Sequence, residues 1–257
     1  MKHSKNRLPL RSAAAAAALA LAIAAGGCAS NEQDSLLADQ KRSEIALGTG
    51  TPQEQLEAVN GLHNQKLLAD VAIGSKTLPV SIAAVAKLEN PERLAYVAVS
   101  ATNEAVRTAA VNRLSDNAWL AYVARTAVES PIADAAVRRM TDEKTLADVA
   151  LKSVSETLRA TAARCIKDED TLATIVRDDR SWIVRAAAVS STRDQKRLAE
   201  YAKTSPDVNI RTAAVGALTD HYLLSHISKN DSDSGVRAAA DKRLTELQTK
   251  LKLEGGK

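Results

Sequence analysis

Apolar positions along the chain recur with a period of 26 residues. Leu68, Leu94, Leu120, Leu146, Leu172, Leu198 and Leu224 each open a copy, and no copy carries an insertion. In the copy from Leu94, residues Leu94, Val97 and Ala98 fall at i, i+3 and i+4, which predicts one apolar stripe on a short helix. Val106, Ala110 and Leu114 follow at spacings of four, flanked by Ala109 and Val111, and predict a second helix. A worn copy precedes these, with Ile45, Ala46, Gln55, Ala58, Val59 and Leu62 in the matching columns. About eight two-helix units then span residues 39–246, and a period held this long marks a repeat architecture. No unit can bury its own stripe alone. Stacked neighbours can, which predicts an all-α solenoid.

Polar residues punctuate the pattern at fixed places. Thr51, Thr77, Asn103, Ser155, Ser181, Asp207 and Asp233 precede the second helices, and their oxygens can accept from first-turn amides at about 1 kcal/mol each. Glu129 breaks this column, but the adjacent Ser130-Pro131 offers a cap and a proline at the first helical position. Asp116, Asp142, Asp168, Asp194 and Asp220 stand at the same kind of position before the first helices. One column is alanine throughout: Ala58, Ala84, Ala110, Ala136, Ala162, Ala188, Ala214 and Ala240. It is expected at the closest helix–helix contact, where a larger side chain would overpack. The last copy carries Asp241 where valine is the rule, as suits a terminal unit with nothing stacked beyond it.

Val106-Arg107-Thr108-Ala109-Ala110-Val111 resembles the second helix of HEAT-type repeats, as do the stretches from Val184, Ile210 and Val236. The 26-residue unit is shorter than the usual length of about 40 in that family. The resemblance implies a right-handed α-solenoid of about eight two-helix HEAT-like repeats. It also implies that an arginine column, Arg107, Arg159, Arg185, Arg211 and Arg237, forms a structural ladder with aspartates between neighbouring units. Asp179 and Asp231 stand six residues before their arginines as in the family, whereas Ser81 and Ala133 interrupt the arginine column.

The N-terminus reads as an address. Residues 1–11 carry four basic side chains and no acid, and residues 13–25 are apolar, a charged segment followed by a hydrophobic one. Ala25-Gly26-Gly27-Cys28 resembles the lipobox of bacterial lipoproteins. That resemblance implies a signal peptide over 1–27, lipidation (diacylglycerol and palmitate) at Cys28, and a lipid-anchored linker over 28–38. Because Ala29 follows the cysteine, it implies the periplasmic face of the outer membrane in a cell with two membranes. Residues 247–257, with Lys250, Lys252, Lys257 and two glycines, are expected to form a flexible tail.

Charge and chemistry narrow the reading further. The chain has 35 basic and 31 acidic residues, and the signal segment holds four of the basic ones. The remainder is therefore balanced, without the basic footprint of a nucleic-acid binder. There is no phenylalanine, so aliphatic side chains must build the core. His63, His221 and His226 show no metal-ligand spacing, no His-Glu pair occurs, and no phosphate loop or Gly-x-Ser-x-Gly is present. No enzyme, cofactor, metal site or small-molecule substrate is expected, and Cys165 reads as a partly exposed thiol.

Two surface features remain as candidate partner-binding sites. Arg113, Arg138, Arg139, Arg164, Lys167 and Arg193 fall on variable positions toward the ends of central second helices and could line a basic groove. Tyr96 and Tyr122 share one column of adjacent first helices, with Trp119 one turn before Tyr122, in a chain poor in aromatics. The expected function is a non-enzymatic protein–protein interaction scaffold at the cell envelope, anchored by lipid, whose partners are envelope or membrane proteins. The alternative is a binder of an anionic envelope polymer or lipid headgroup through the basic groove.

Overall fold

The computed structural model describes residues 33–127 and 131–255, and the segment expected as a signal peptide, Cys28 and the start of the expected linker lie outside them. Among the described residues every regular element is a helix. They resolve as two compact units, one ending at Glu89 and one beginning at Asn90. The first holds α1 (residues 33–44, continued by a π-helical turn Ile45–Thr49), α2 (Pro52–Gly61), α3 (Gln65–Gly74) and α4 (Leu78–Lys87). The second holds α5 (Pro91–Ser100), α6 (Glu104–Arg113), α7 (Asn117–Thr126), α8 (Pro131–Arg139), α9 (Glu143–Lys152), α10 (Glu156–Cys165), α11 (Glu169–Asp178), α12 (Trp182–Ser191), α13 (Gln195–Thr204), α14 (Val208–Ala217), α15 (His221–Asn230) and α16 (Ser234–Gly255). The 26-residue register holds throughout. Within each unit first and second helices pair, and each second helix packs on the next, α10 on α12, α12 on α14 and α14 on α16. The chain is an all-α repeat array of the solenoid class.

The repeated columns account for the packing. The leucines that open the copies, Leu68 to Leu224, are all buried, and so is every alanine of the invariant column. From α8 onward in the second unit, second helices pack on one another more extensively than first helices do, and the buried alanines of the invariant column lie on these second helices. The caps form as the column predicts in most units. Asn103 accepts from the Ala105 amide at 2.9 Å, Ser181 from Ile183 at 3.2 Å and Asp207 from Asn209 at 2.9 Å. Thr51 makes a full capping box, accepting from the Glu54 amide at 3.3 Å while Glu54 accepts from the Thr51 amide at 2.7 Å. Thr77 is the exception: it caps nothing and donates its hydroxyl to Gln55 Oε1 at 3.1 Å. The aspartate column before the first helices caps at Asp116, Asp142, Asp168, Asp194 and Asp220, and it extends upstream as Asn64 and Asn90. The Ser130 cap expected before Pro131 lies outside the described residues.

Two segments and one register differ from the sequence expectation. Residues 33–38, expected in the linker, already belong to α1. In that worn copy Ile45 is exposed, and the buried stripe runs through Asp39, Ser43 and Ala46. That stripe keeps ordinary helical spacing, and within the π-helical turn that continues α1, Gly48 sits at φ 132°, a backbone conformation only glycine adopts readily. Residues 247–255, expected in the tail, continue α16. Leu244 and Leu247 pack against the last core cluster and so carry the apolar stripe beyond Ala240. Asp241, in the valine column, is exposed as expected of a terminal unit.

Candidate functional site

The arginine column is built into the joints between units. Arg159 donates through Nε and Nη2 to both oxygens of Asp179, at 2.8 and 3.3 Å, and through Nη1 to the Ser153 and Val154 carbonyls at 3.0 and 3.2 Å. Arg211 repeats this on Asp231 at 3.0 and 3.1 Å and on the Ser205 and Pro206 carbonyls at 3.0 and 3.5 Å. For Arg185 the position equivalent to those aspartates is Ser205, and its Nη2 donates instead to the capping residue Asp207, at 2.8 Å. Gln55 holds a neutral version, donating to the Gly50 carbonyl at 3.2 Å and accepting from Thr77 at 3.1 Å. Burial pushes the Asp179 carboxyl up, but the hydrogen bonds from Arg159 and the Ser181 amide outweigh it and hold it below the ordinary carboxylate range. Arg107 Nε is buried without a partner among the described residues. Its counterpart two residues beyond Ala127 is Glu129, outside them.

A second set of joints escaped the sequence reading. In six copies the residue of one column, the first of its helix in all but Asp39, accepts from a backbone amide 24 residues on. Asp39 takes His63 at 3.2 Å, Gln65 takes Glu89 at 2.7 Å, Asn117 takes Thr141 at 2.8 Å, Glu143 takes Lys167 at 3.1 Å, Glu169 takes Arg193 at 2.7 Å and Gln195 takes Thr219 at 2.9 Å. Asp, Gln, Asn and Glu share one property, a carbonyl or carboxylate oxygen on a short stem. Gln and Glu each occur twice but no single identity holds the column, so it shows only as acceptor capacity.

The six basic candidates separate by environment. Arg139 donates through Nε and Nη2 to the Leu114 carbonyl, both at 3.2 Å, capping the C-terminal end of α6. Arg243 does the same to Leu218 at 2.9 Å and Lys87 to Asn60, so this column closes the exposed carbonyls of the preceding second helix. Arg138 is ion-paired with Asp134 at 2.7 Å. Arg113 is exposed. Arg164, Lys167 and Arg193 do share one cleft, of about 470 Å³, with Cys165, Ser190 and Ser191. That cleft opens where the capping column holds Ser191 and Ala217 instead of arginine. No carboxylate lines it. Cys165 is half-buried, and burial pushes its thiol up from the ordinary value, away from nucleophilic chemistry.

The aromatic candidates stand on the first helices. Tyr96 is 46% exposed and Tyr122 38%. Trp119 meets Tyr122 edge to face, with ring centroids 5.6 Å apart and planes at 77°. The same column holds Asp70, Asp148, Thr174, Glu200 and His226 elsewhere, all polar. Two tyrosines at solvated positions serve no packing need shared by the other units. Among the described residues no three His, Cys, Asp or Glu side chains gather to hold a metal ion. No described helix is long and apolar enough to cross a membrane. No family model matches the chain, and no curated protein matches its sequence.

Proposed function

We propose that this chain is a HEAT-like cell-envelope lipoprotein, anchored through Cys28, that works as a non-enzymatic scaffold for envelope or membrane proteins. In a cell with two membranes its place would be the periplasmic face of the outer one. The observation that supports the reading is the pair of exposed tyrosines Tyr96 and Tyr122 in one column of adjacent first helices, with the partly buried Trp119 packed edge to face on Tyr122. Aromatic side chains of this kind anchor protein interfaces, because they bury large area at little cost in conformational entropy. The fixed polar columns are largely occupied with capping and joining repeats, which leaves the variable exposed positions for recognition. The test is crosslinking and purification from detergent-solubilised membranes of its own cell. Wild type should bring down a reproducible envelope partner, and Tyr96→Ala with Trp119→Ala should lose it. Recovery of the protein alone, repeatedly, would sink the scaffold reading. Cys28→Ala should move the protein from the membrane to the soluble fraction, and retention there would refute the anchor.

A second reading rests on the cleft of Arg164, Lys167 and Arg193, which would take an anionic envelope polymer or lipid headgroup. It predicts salt-sensitive binding to anionic vesicles that Arg164→Glu abolishes. Binding unchanged by salt or by that reversal would remove it.

A further inference from the structure

The arginine column ends in a half-filled socket. Within the array Arg159 and Arg211 share one arrangement. Nη1 is tied to the carbonyls six and five residues back, and the Nε–Nη2 edge holds both oxygens of an aspartate at the C-terminal cap of the next repeat's first helix. Arg237, last in the column, is anchored alike, its Nη1 donating to the Asp231 and Ser232 carbonyls at 2.7 and 3.2 Å. Its Nε–Nη2 edge meets no carboxylate among the described residues, and Arg237 remains partly exposed. Among the described residues no further repeat follows. The residue 20 positions on is Lys257, but α16 runs on as a helix to Gly255, about 27 Å along its axis from Arg237 at 1.5 Å per residue. Within the described residues the chain therefore runs away from the socket and not back onto it.

We infer that the Nε–Nη2 edge of Arg237 is a preorganised receptor for a carboxylate supplied by a protein partner, an aspartate at the C-terminal end of a helix that docks where a ninth repeat would lie. The two internal copies define both the ligand and its pose. The guanidinium is already fixed by its backbone bonds, so little side-chain freedom is lost on binding, and a planar fork takes a carboxylate through two parallel charge-assisted bonds. Asp241, four residues on and exposed, gives the docking face a carboxylate of its own. A partner carrying a basic residue one turn before its aspartate would match both. This inference deepens the scaffold reading by naming a partner chemistry. Its test reads one side chain, so it can fail while capture through Tyr96 and Trp119 stands.

The probe is a labelled peptide of residues 221–233, which carries Asp231 at the end of the helix that Arg211 recognises. Its binding to the full chain in detergent is followed by fluorescence anisotropy. Asp231→Asn in the peptide or Arg237→Gln in the protein should each weaken binding about tenfold, the scale of a lost charge-assisted pair, and the two together should cost no more than either alone. Arg237→Lys should restore little, because an ammonium has no fork. The Arg237 Nε–H resonance of the ¹⁵N-labelled wild-type chain gives a readout that no substitution can disturb. It should shift with the wild-type peptide and stay still with the Asn one. The proposal is overturned if both peptides bind alike, if the resonance never moves, or if a peptide of residues 251–257 displaces the probe, which would make a second copy's C-terminus the occupant.

Discussion

Removing the Asp179 carboxylate should cost far more than its single side chain suggests. The Arg159 and Asp179 side chains are 6% and 9% exposed, and the aspartate also accepts from the Ser181 amide at 2.8 Å. Asp179→Ala leaves a buried guanidinium with only two carbonyls, and breaking a buried pair from one side costs about 3–5 kcal/mol. With a urea dependence of about 2 kcal/mol per molar, the midpoint should fall by roughly 1.5–2.5 M. Asp207→Ala is the control. Its pair with Arg185 is 24% and 22% exposed, so loss of the partly screened pair plus the helix cap should cost only about 1–2 kcal/mol. Arg159→Met combined with Asp179→Ala should recover much of the deficit, because no charge is then stranded. Equilibrium urea denaturation with hydrogen exchange reads all three. Protection should fall first around α10–α12, since repeats couple to their nearest neighbours. A cost for Asp179→Ala below about 1 kcal/mol, or a double variant no better than the single one, would refute the argument.

The same pairs set the response to acid. The carboxyls of Asp179, Asp207 and Asp231 lie below their ordinary range, the first two against the upward push of burial, while in Asp231 the Arg211 hydrogen bonds dominate. Their stabilisation is thus fully present above the unfolded value of about 3.9 and is lost as pH falls through the folded values. Urea midpoints should hold near neutrality and drop below about pH 4, less steeply in Asp179→Ala; a drop beginning near pH 6 would point to histidines instead. Ala188→Leu, at a fully buried position of the invariant column, should destabilise by about 1–3 kcal/mol in the same titration, and a neutral result would mean the helices can separate freely. Ala217→Arg restores the capping column over the cleft and should raise the unfolding free energy by about 0.3–1 kcal/mol, as a cation beside a helix C-terminus does. No gain there would deny the capping role read from Arg139 and Arg243.

What the sequence concealed has one physical source: a side chain's letter states what it can donate or accept, but not to whom. The caps and the alanine column were legible because their partners are local or are copies of themselves. Asp116 needs only an amide three residues away, and Ala188 needs only another helix at the same register. The start-of-helix joints were not legible, because Gln65, Asn117 and Glu169 reach backbone amides in the next unit, and backbone carries no signature. Arg139 and Arg164 illustrate the same limit from the other side. They are neighbours in the basic pattern and equally exposed in class, so both suggested a groove. Arg139 is consumed by the Leu114 carbonyl, and Arg164 borders a cleft that exists because Ser191 and Ala217 cannot do what Arg139 does. The difference lies not in either arginine but in the residue at the equivalent position two and three units on. Function in such an array is therefore sought where a column breaks. The two tyrosines in a polar column, the capping arginines missing at Cys165, Ser191 and Ala217, and the last arginine without its aspartate are three such breaks.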